Sequence, residues 1–146
     1  MNRKYMELAL EQAKLGAAAG EVPIGAVIVK NNVVLAKAHN LTEALKDPTA
    51  HAEVLAIRKA AEALGDFRLT GCELYVTLEP CPMCAGAAVN ARLSEIVFGG
   101  YDGVKGALHS VVNLYSFNFP NKPQIYGGIL EKECTALLKD FFKNRR

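Results

Sequence analysis

The chain has 146 residues, 51% of them hydrophobic and 22% charged, the size and balance of one globular domain with a single sizeable core. Its formal net charge of +2 is too small to announce a nucleic-acid partner by itself. No apolar run approaches the roughly 20 residues of a membrane-spanning helix, and Glu7, Glu11 and Lys14 interrupt the N-terminal apolar residues before a secretory core can form. A single cytoplasmic domain over residues 1–146, with no membrane association, is therefore expected.

Met6, Ala9, Leu10, Ala13 and Ala17 recur at helical spacing, so residues 2–19 read as an amphipathic helix ended near Gly20. Residues 22–29 and 33–38 are apolar, β-branched runs separated by Asn31-Asn32, a hairpin signal. Residues 51–64 are rich in Ala and Leu and stop before Gly65, which predicts a second helix. A strand over 74–78 and a helix over 81–92, opened by prolines, come next. Short strands at 96–98 and 124–126 and a last helix over 130–145 complete the pattern. Alternation of helix and strand after the hairpin predicts an α/β layered sheet with helices on both faces. Residues 99–123 are irregular and aromatic. Such a segment in a small domain is more often functional than idle; its Tyr115, Phe117 and Phe119 suit either stacking on unpaired bases or the core.

The four cysteines divide in two. Cys72 and Cys134 are isolated among apolar residues and read as buried core thiols. Cys81 and Cys84 are clustered, and clustered cysteines in a reducing cytosol more often bind metal or do chemistry than form disulfides.

Two stretches carry the chemistry, His51-Ala52-Glu53 and Pro80-Cys81-Pro82-Met83-Cys84. A Cys-x-x-Cys at a helix start lets both sulfurs reach one cation, and the helix N-terminus favours their thiolates. His51, Cys81 and Cys84 form a borderline-soft set suited to one Zn²⁺ per chain. Three protein ligands leave a fourth position for water, as in a catalytic site, where zinc brings that water's pKa towards roughly 7. Glu53 is then the proton carrier. Residues two apart on a regular helix diverge, so His51 and Glu53 converge only if the site sits at the helix start, for which Asp47-Pro48-Thr49 supplies capping and breaking residues. A purely structural zinc site needs a fourth protein ligand, for which Cys72, Cys134, His39 and His109 are the candidates; none stands in a second ligand pair, and Glu53 would have no purpose.

This spacing is that of zinc nucleobase deaminases. Over essentially the whole chain the sequence resembles the bacterial tRNA-specific adenosine deaminases, of the cytidine and deoxycytidylate deaminase superfamily. The matching text is Glu21-Val-Pro-Ile-Gly-Ala26, His39-Asn40, Asp47-Pro-Thr-Ala-His-Ala-Glu53, the run from Leu74 through Glu79-Pro-Cys-Pro-Met-Cys84 to Ala87, Val97-Phe-Gly99, Asp102, Lys105-Gly-Ala107, and the ending Leu138-Lys-Asp-Phe-Phe-Lys-Asn-Arg-Arg146. It departs at Asp102-Gly-Val-Lys-Gly-Ala107, where the family commonly reads Asp-Pro-Lys-x-Gly-Ala, and at Asn121-Lys122-Pro123, where an Asn-His pair is usual.

The resemblance implies a three-layer α/β/α cytidine-deaminase-like fold with a five-stranded mixed sheet, a homodimer, and conversion of adenosine to inosine at the wobble position of a tRNA anticodon. It also implies that Asn40 touches the target nucleoside and that Asp102 and the C-terminal helix, with Phe142, Arg145 and Arg146, hold the anticodon stem-loop. From the residues alone, Asn40 equally caps its own turn, Asp102 is equally a turn residue, and Val22-Pro23-Ile24 is either a pocket wall or strand core. The basic C-terminal residues equally complement their helix dipole. Two other functions remain: a deaminase of a free base or nucleoside of guanine or cytosine type, and a zinc-stabilised RNA-binding module without turnover, which intact Glu53 disfavours.

Overall fold

The computed structural model describes residues 2–144. Helix α1 (Arg3–Ala18) is capped by Asn2, whose side chain accepts from the Lys4 N–H at 3.0 Å. Strands β1 (Gly25–Lys30) and β2 (Val33–His39) form the expected hairpin. Its turn residues Asn31 and Asn32 both adopt left-handed backbone, with φ of 50° and 63°, which asparagine tolerates and this two-residue turn requires. Strand β1 starts three residues later than the apolar run suggests. Pro23 has no N–H for a ladder, and the Ile24 N–H turns back to the Val22 carbonyl at 2.8 Å.

The short helix α2 (Thr42–Leu45) was not anticipated. Its first N–H groups are satisfied by the buried carboxylate of Glu21, which accepts from Glu43 at 3.0 Å and Ala44 at 2.8 Å. A cap supplied from so far upstream leaves no local pattern to read. Helix α3 (Ala52–Leu64) ends at Gly65 in left-handed conformation, as the sequence predicts. Strand β3 (Cys72–Leu78), helix α4 (Pro82–Asn90), strand β4 (Glu95–Gly100), strand β5 (Gln124–Tyr126) and helix α5 (Glu131–Lys143) follow in the predicted order.

The strands line up as β2-β1-β3-β4-β5. The first two pairings are antiparallel and the last two parallel, so the sheet is five-stranded and mixed. Its central strands are apolar on both faces because both are covered. Ala26, Ile28, Leu74, Val76, Ile96 and Phe98 pack with the small residues Ala52, Ala56 and Ala60 of α3 and Ala85 and Ala88 of α4. Val27, Val29, Tyr75 and Val97 alternate with them and pack on Tyr5, Met6, Ala9 and Leu10 of α1 and Cys134 of α5. This period-two alternation builds the α/β/α layering. Cys72 and Cys134 are buried thiols, as expected.

Parallel strands need a crossover of a dozen or more residues, which accounts for the irregular stretch between β4 and β5. It contains one 3₁₀ turn (Leu114–Ser116). Tyr115 belongs to the core: it is 7% exposed, and its hydroxyl donates to the Ala85 carbonyl at 2.8 Å. Lys122 ties the same loop down by donating to the carbonyls of Tyr115 and Phe117. Tyr115→Phe is expected to destabilise by about 1 kcal/mol, the worth of one hydrogen bond, lowering Tm by roughly 2–4 °C. Thermal melts check this; an unchanged Tm would show that the Tyr115 hydroxyl contributes nothing to the core.

Candidate active site

Two helix N-termini converge at the ends of β3 and β4. His51 is the N-cap of α3 and Cys81 the N-cap of α4, and both have extended backbone, with ψ of 149° and 173°. Standing just outside its helix, His51 escapes the divergence that helical spacing would impose, so it and Glu53 line one cavity. The predicted location at the helix start is where they meet. The His51 Nδ1 lies 3.6 Å from the Cys81 Sγ and 3.5 Å from the Cys84 Sγ. Among the described residues, these three are the group whose ligand atoms gather within 4.8 Å.

The four alternative ligands are occupied or distant. Cys72 opens β3, at the end of the strand away from Leu78. Cys134 belongs to α5 and packs on the opposite face of the sheet. The His39 ring bonds the Asn40 carbonyl at 2.9 Å, and the His109 ring stands edge-on to Tyr101 at 5.3 Å.

The electrostatics suit a cation. Hydrogen bonding from Cys84 and His51 draws the Cys81 thiol down to about 3, against the burial that opposes it. Cys84 is held far above the ordinary thiol range, first by its bond to Cys81 and then by burial. Both sulfurs bind a cation as thiolates, so cation binding would release the protons they hold. The neighbouring Cys81 raises the His51 imidazole. Glu53 is 4% exposed, and burial pushes its carboxyl up to about 7, within reach of both protonation states at neutral pH. Donor chemistry, spacing and the two helix N-termini fit a zinc ion held by His51, Cys81 and Cys84.

The cavity of about 500 Å³ is walled by Val22, Ile24, Leu138 and Phe142, and rimmed by residues 101–105. Val22 and Ile24 thus serve as wall, outside the strand. Asn40 lines it too, and its capping partner is not its own turn: the side-chain oxygen accepts from the Ala52 N–H at 2.8 Å, holding the first turn of α3. Its amide N–H₂ is left to meet a ligand. Asp102 lines the rim while its carboxylate accepts from Val104 and Lys105 at 2.9 and 3.2 Å, the turn role. Phe142 is half-exposed at the mouth. Arg145 and Arg146 lie outside the described residues. Tyr115, Phe117 and Phe119 do not line this cavity; Phe119 lines a separate hollow beside Met83.

Three residues of the site escape sequence reasoning. Tyr101 supplies the rim aromatic, braced edge-on by Phe98 at 5.0 Å. Glu21 caps α2 below the wall. Glu79, 2% exposed, accepts five hydrogen bonds from the rim loop. Burial alone would raise its carboxyl, but the Ser110 hydroxyl and the backbone N–H donors outweigh it and hold the carboxyl below its ordinary value. A carboxylate standing between an apolar strand and Pro80-Cys81 was the one signal available.

Three layers around a mixed sheet, with a His/Cys/Cys cluster and a buried carboxylate at the ends of its inner strands, define a deaminase of the cytidine-deaminase-like class. The model of the MafB19-like deaminases matches residues 1–146. The tRNA-specific adenosine deaminase of Bacillus subtilis (strain 168) is 47% identical over 143 residues, covering 97% of this chain and 89% of that protein. A solved chain from studies of A-to-I editing by tRNA:A34 deaminases superposes with a TM-score of 0.91 at 45% identity, covering 94% of this chain and all of the other. The guanine deaminase of Bacillus subtilis is similar at a TM-score of 0.66 and 34% identity, covering 82% of this chain and 88% of the other. The chain belongs to this deaminase family and, within it, groups with the tRNA-specific adenosine deaminases.

Proposed function

We propose that the chain, as one domain over residues 1–146, hydrolyses adenosine to inosine at the wobble position of a tRNA anticodon, releasing ammonia. The observation that carries this is the meeting of His51, Cys81 and Cys84 within 4.8 Å, in the cavity that also holds buried Glu53. The three residues hold one Zn²⁺, which when bound makes water a nucleophile at neutral pH.

Glu53 takes a proton from the attacking water and gives it to the ring nitrogen beside the carbon under attack. It then moves a second proton to the departing amine, so that water and adenosine become inosine and ammonia. In the metal-free protein, burial pushes its carboxyl up to about 7, which suits a group that both takes and gives a proton. Asn40 offers its amide N–H₂ to the nucleoside while its oxygen keeps α3 in place. Val22 and Ile24 exclude water from the base. Asp102, Phe142, Arg145 and Arg146 hold the anticodon stem-loop. The enzyme works as a cytoplasmic homodimer, and no helix among the described residues is long and apolar enough to cross a membrane.

The second reading is a deaminase of a free base, favoured by the likeness to a guanine deaminase. Phosphate separates the two. A free base carries none, whereas phosphate contacts supply much of RNA affinity and make it fall with salt. Removing residues 143–146, with Lys143, Arg145 and Arg146, is expected to weaken tRNA binding and flatten its salt dependence by somewhat under one unit of log K against log salt per lost contact. Zinc content and secondary structure should survive, because chain ends are usually little buried. Binding titrations across salt concentrations check this; an unchanged slope with slightly lower stability would mean that these charges only complement the dipole of α5.

A further inference from the structure

We infer that Glu79 is a positioning residue for the substrate, fixing the cavity rim in one conformation relative to the turn that carries Cys81. The inference rests on the deaminase reading above and extends it to how the RNA-facing rim is built. Glu79 follows β3 directly and stands two residues before Cys81. Its own N–H donates to the Gly100 carbonyl at 2.8 Å, and the Pro80 carbonyl accepts from Ala107 at 2.9 Å, so backbone bonds fasten this turn to the rim loop at both ends.

The side chain completes the fastening. Oε1 accepts from the Asp102 N–H at 3.0 Å and from the Ser110 hydroxyl. Oε2 accepts from Leu108, His109 and Ser110 N–H groups at 3.1, 2.7 and 2.9 Å. With both oxygens committed to the loop, Glu79 has none to offer a substrate. Its charge is compensated by N–H and O–H dipoles of a single loop, and no lysine, arginine or histidine pairs with it among the described residues. A buried carboxylate met in this way is satisfied by one arrangement of its donors and left exposed to large desolvation by any other. The loop packs so closely that a Cβ at Gly106 would overlap the Glu79 carboxylate. His109, bonded to Oε2, also braces the Tyr101 ring. One side chain thus holds Asp102 directly and Tyr101 through His109, and both line the mouth. The rim is set before substrate arrives, which removes an ordering penalty from binding.

Glu79→Gln tests this selectively. An amide has one oxygen, and placed at Oε2 it keeps the three-donor side. Its N–H₂ then opposes the Asp102 N–H, which frees the rim end alone. The expected result is a KM for an anticodon stem-loop raised about tenfold, a matching loss of stem-loop affinity by fluorescence anisotropy, and a kcat within about threefold of wild type. Zinc content and circular dichroism stay those of wild type. Ser110→Ala, which removes one donor from Oε1, moves KM in the same direction by about two- to threefold, and it decides the matter if Glu79→Gln does not fold. A fall in kcat with KM unchanged, or loss of zinc from either variant, would overturn the inference and reduce Glu79 to support of the metal turn. A wild-type enzyme that turns over normally beside variants with unshifted KM overturns this inference alone. A wild-type enzyme that makes no inosine overturns it together with the deaminase reading.

Discussion

Glu53→Ala is expected to lower deamination by about 10³-fold or more while zinc content and fold are retained. A positioned acid–base group is worth about 10²–10⁴-fold, and the proposed mechanism uses Glu53 at more than one proton transfer. It is not a member of the ligand cluster, so its loss should spare the metal. Single-turnover rates on an anticodon stem-loop, with zinc analysis on the same sample, make the measurement. Retention of more than about a tenth of the rate would remove Glu53 from the mechanism.

The same burial makes a stability prediction for metal-free protein. The folded pKa of about 7 lies above the model carboxyl value of 4.5. The protonated form therefore stabilises the fold fully below the unfolded pKa, and that stabilisation is lost as pH rises through about 7. Glu53→Gln, which keeps a neutral side chain at every pH, should melt at a higher temperature than wild type at pH 8 and at nearly the same temperature at pH 4. Equal melting at both values would show that the carboxyl is not desolvated.

The second large effect concerns the ligands. A Cys81→Ser, Cys84→Ser variant is expected to lose zinc and with it all measurable turnover, since only His51 of the cluster remains. The fold should persist, because Cys81 is only partly buried and most of the core lies in the sheet and its two helical layers. X-ray absorption on the wild-type protein should give Zn–S at about 2.3 Å with three protein ligands. Four protein ligands, or full zinc content in the double variant, would contradict the catalytic assignment.

Local signals made most of this architecture readable. Asn31-Asn32 between β-branched runs signalled a hairpin turn, and Gly65 the exit from a helix. The layering followed from the alternation of helix and strand after the hairpin, which calls for helices on both faces of the sheet. The His51, Cys81 and Cys84 cluster was readable because it comes from two short motifs, whose helix-start placement followed from the awkward spacing of His51 and Glu53. What stayed hidden depends on long-range partners. Glu21 and Glu79 are ordinary acidic residues by type; they matter because segments some 20 to 30 positions away aim N–H groups at them. Tyr115 suited base stacking and the core equally by sequence, and its hydroxyl bond to the distant Ala85 carbonyl puts it in the core. Tyr101, which does stand at the mouth, carries no periodic or motif signal, because its position is set by Phe98, His109 and the Glu79 carboxylate behind them.

Substrate identity is the central claim, and one measurement meets it most directly. Purified protein is incubated with total bacterial tRNA and, separately, with free adenine, guanine and cytosine; inosine is read by sequencing and ammonia by assay. Inosine at the wobble position of a tRNA, with little or no ammonia from the free bases, is the predicted result. Ammonia from guanine or cytosine, with every tRNA left unedited, would contradict it and assign the chain to small-substrate deamination.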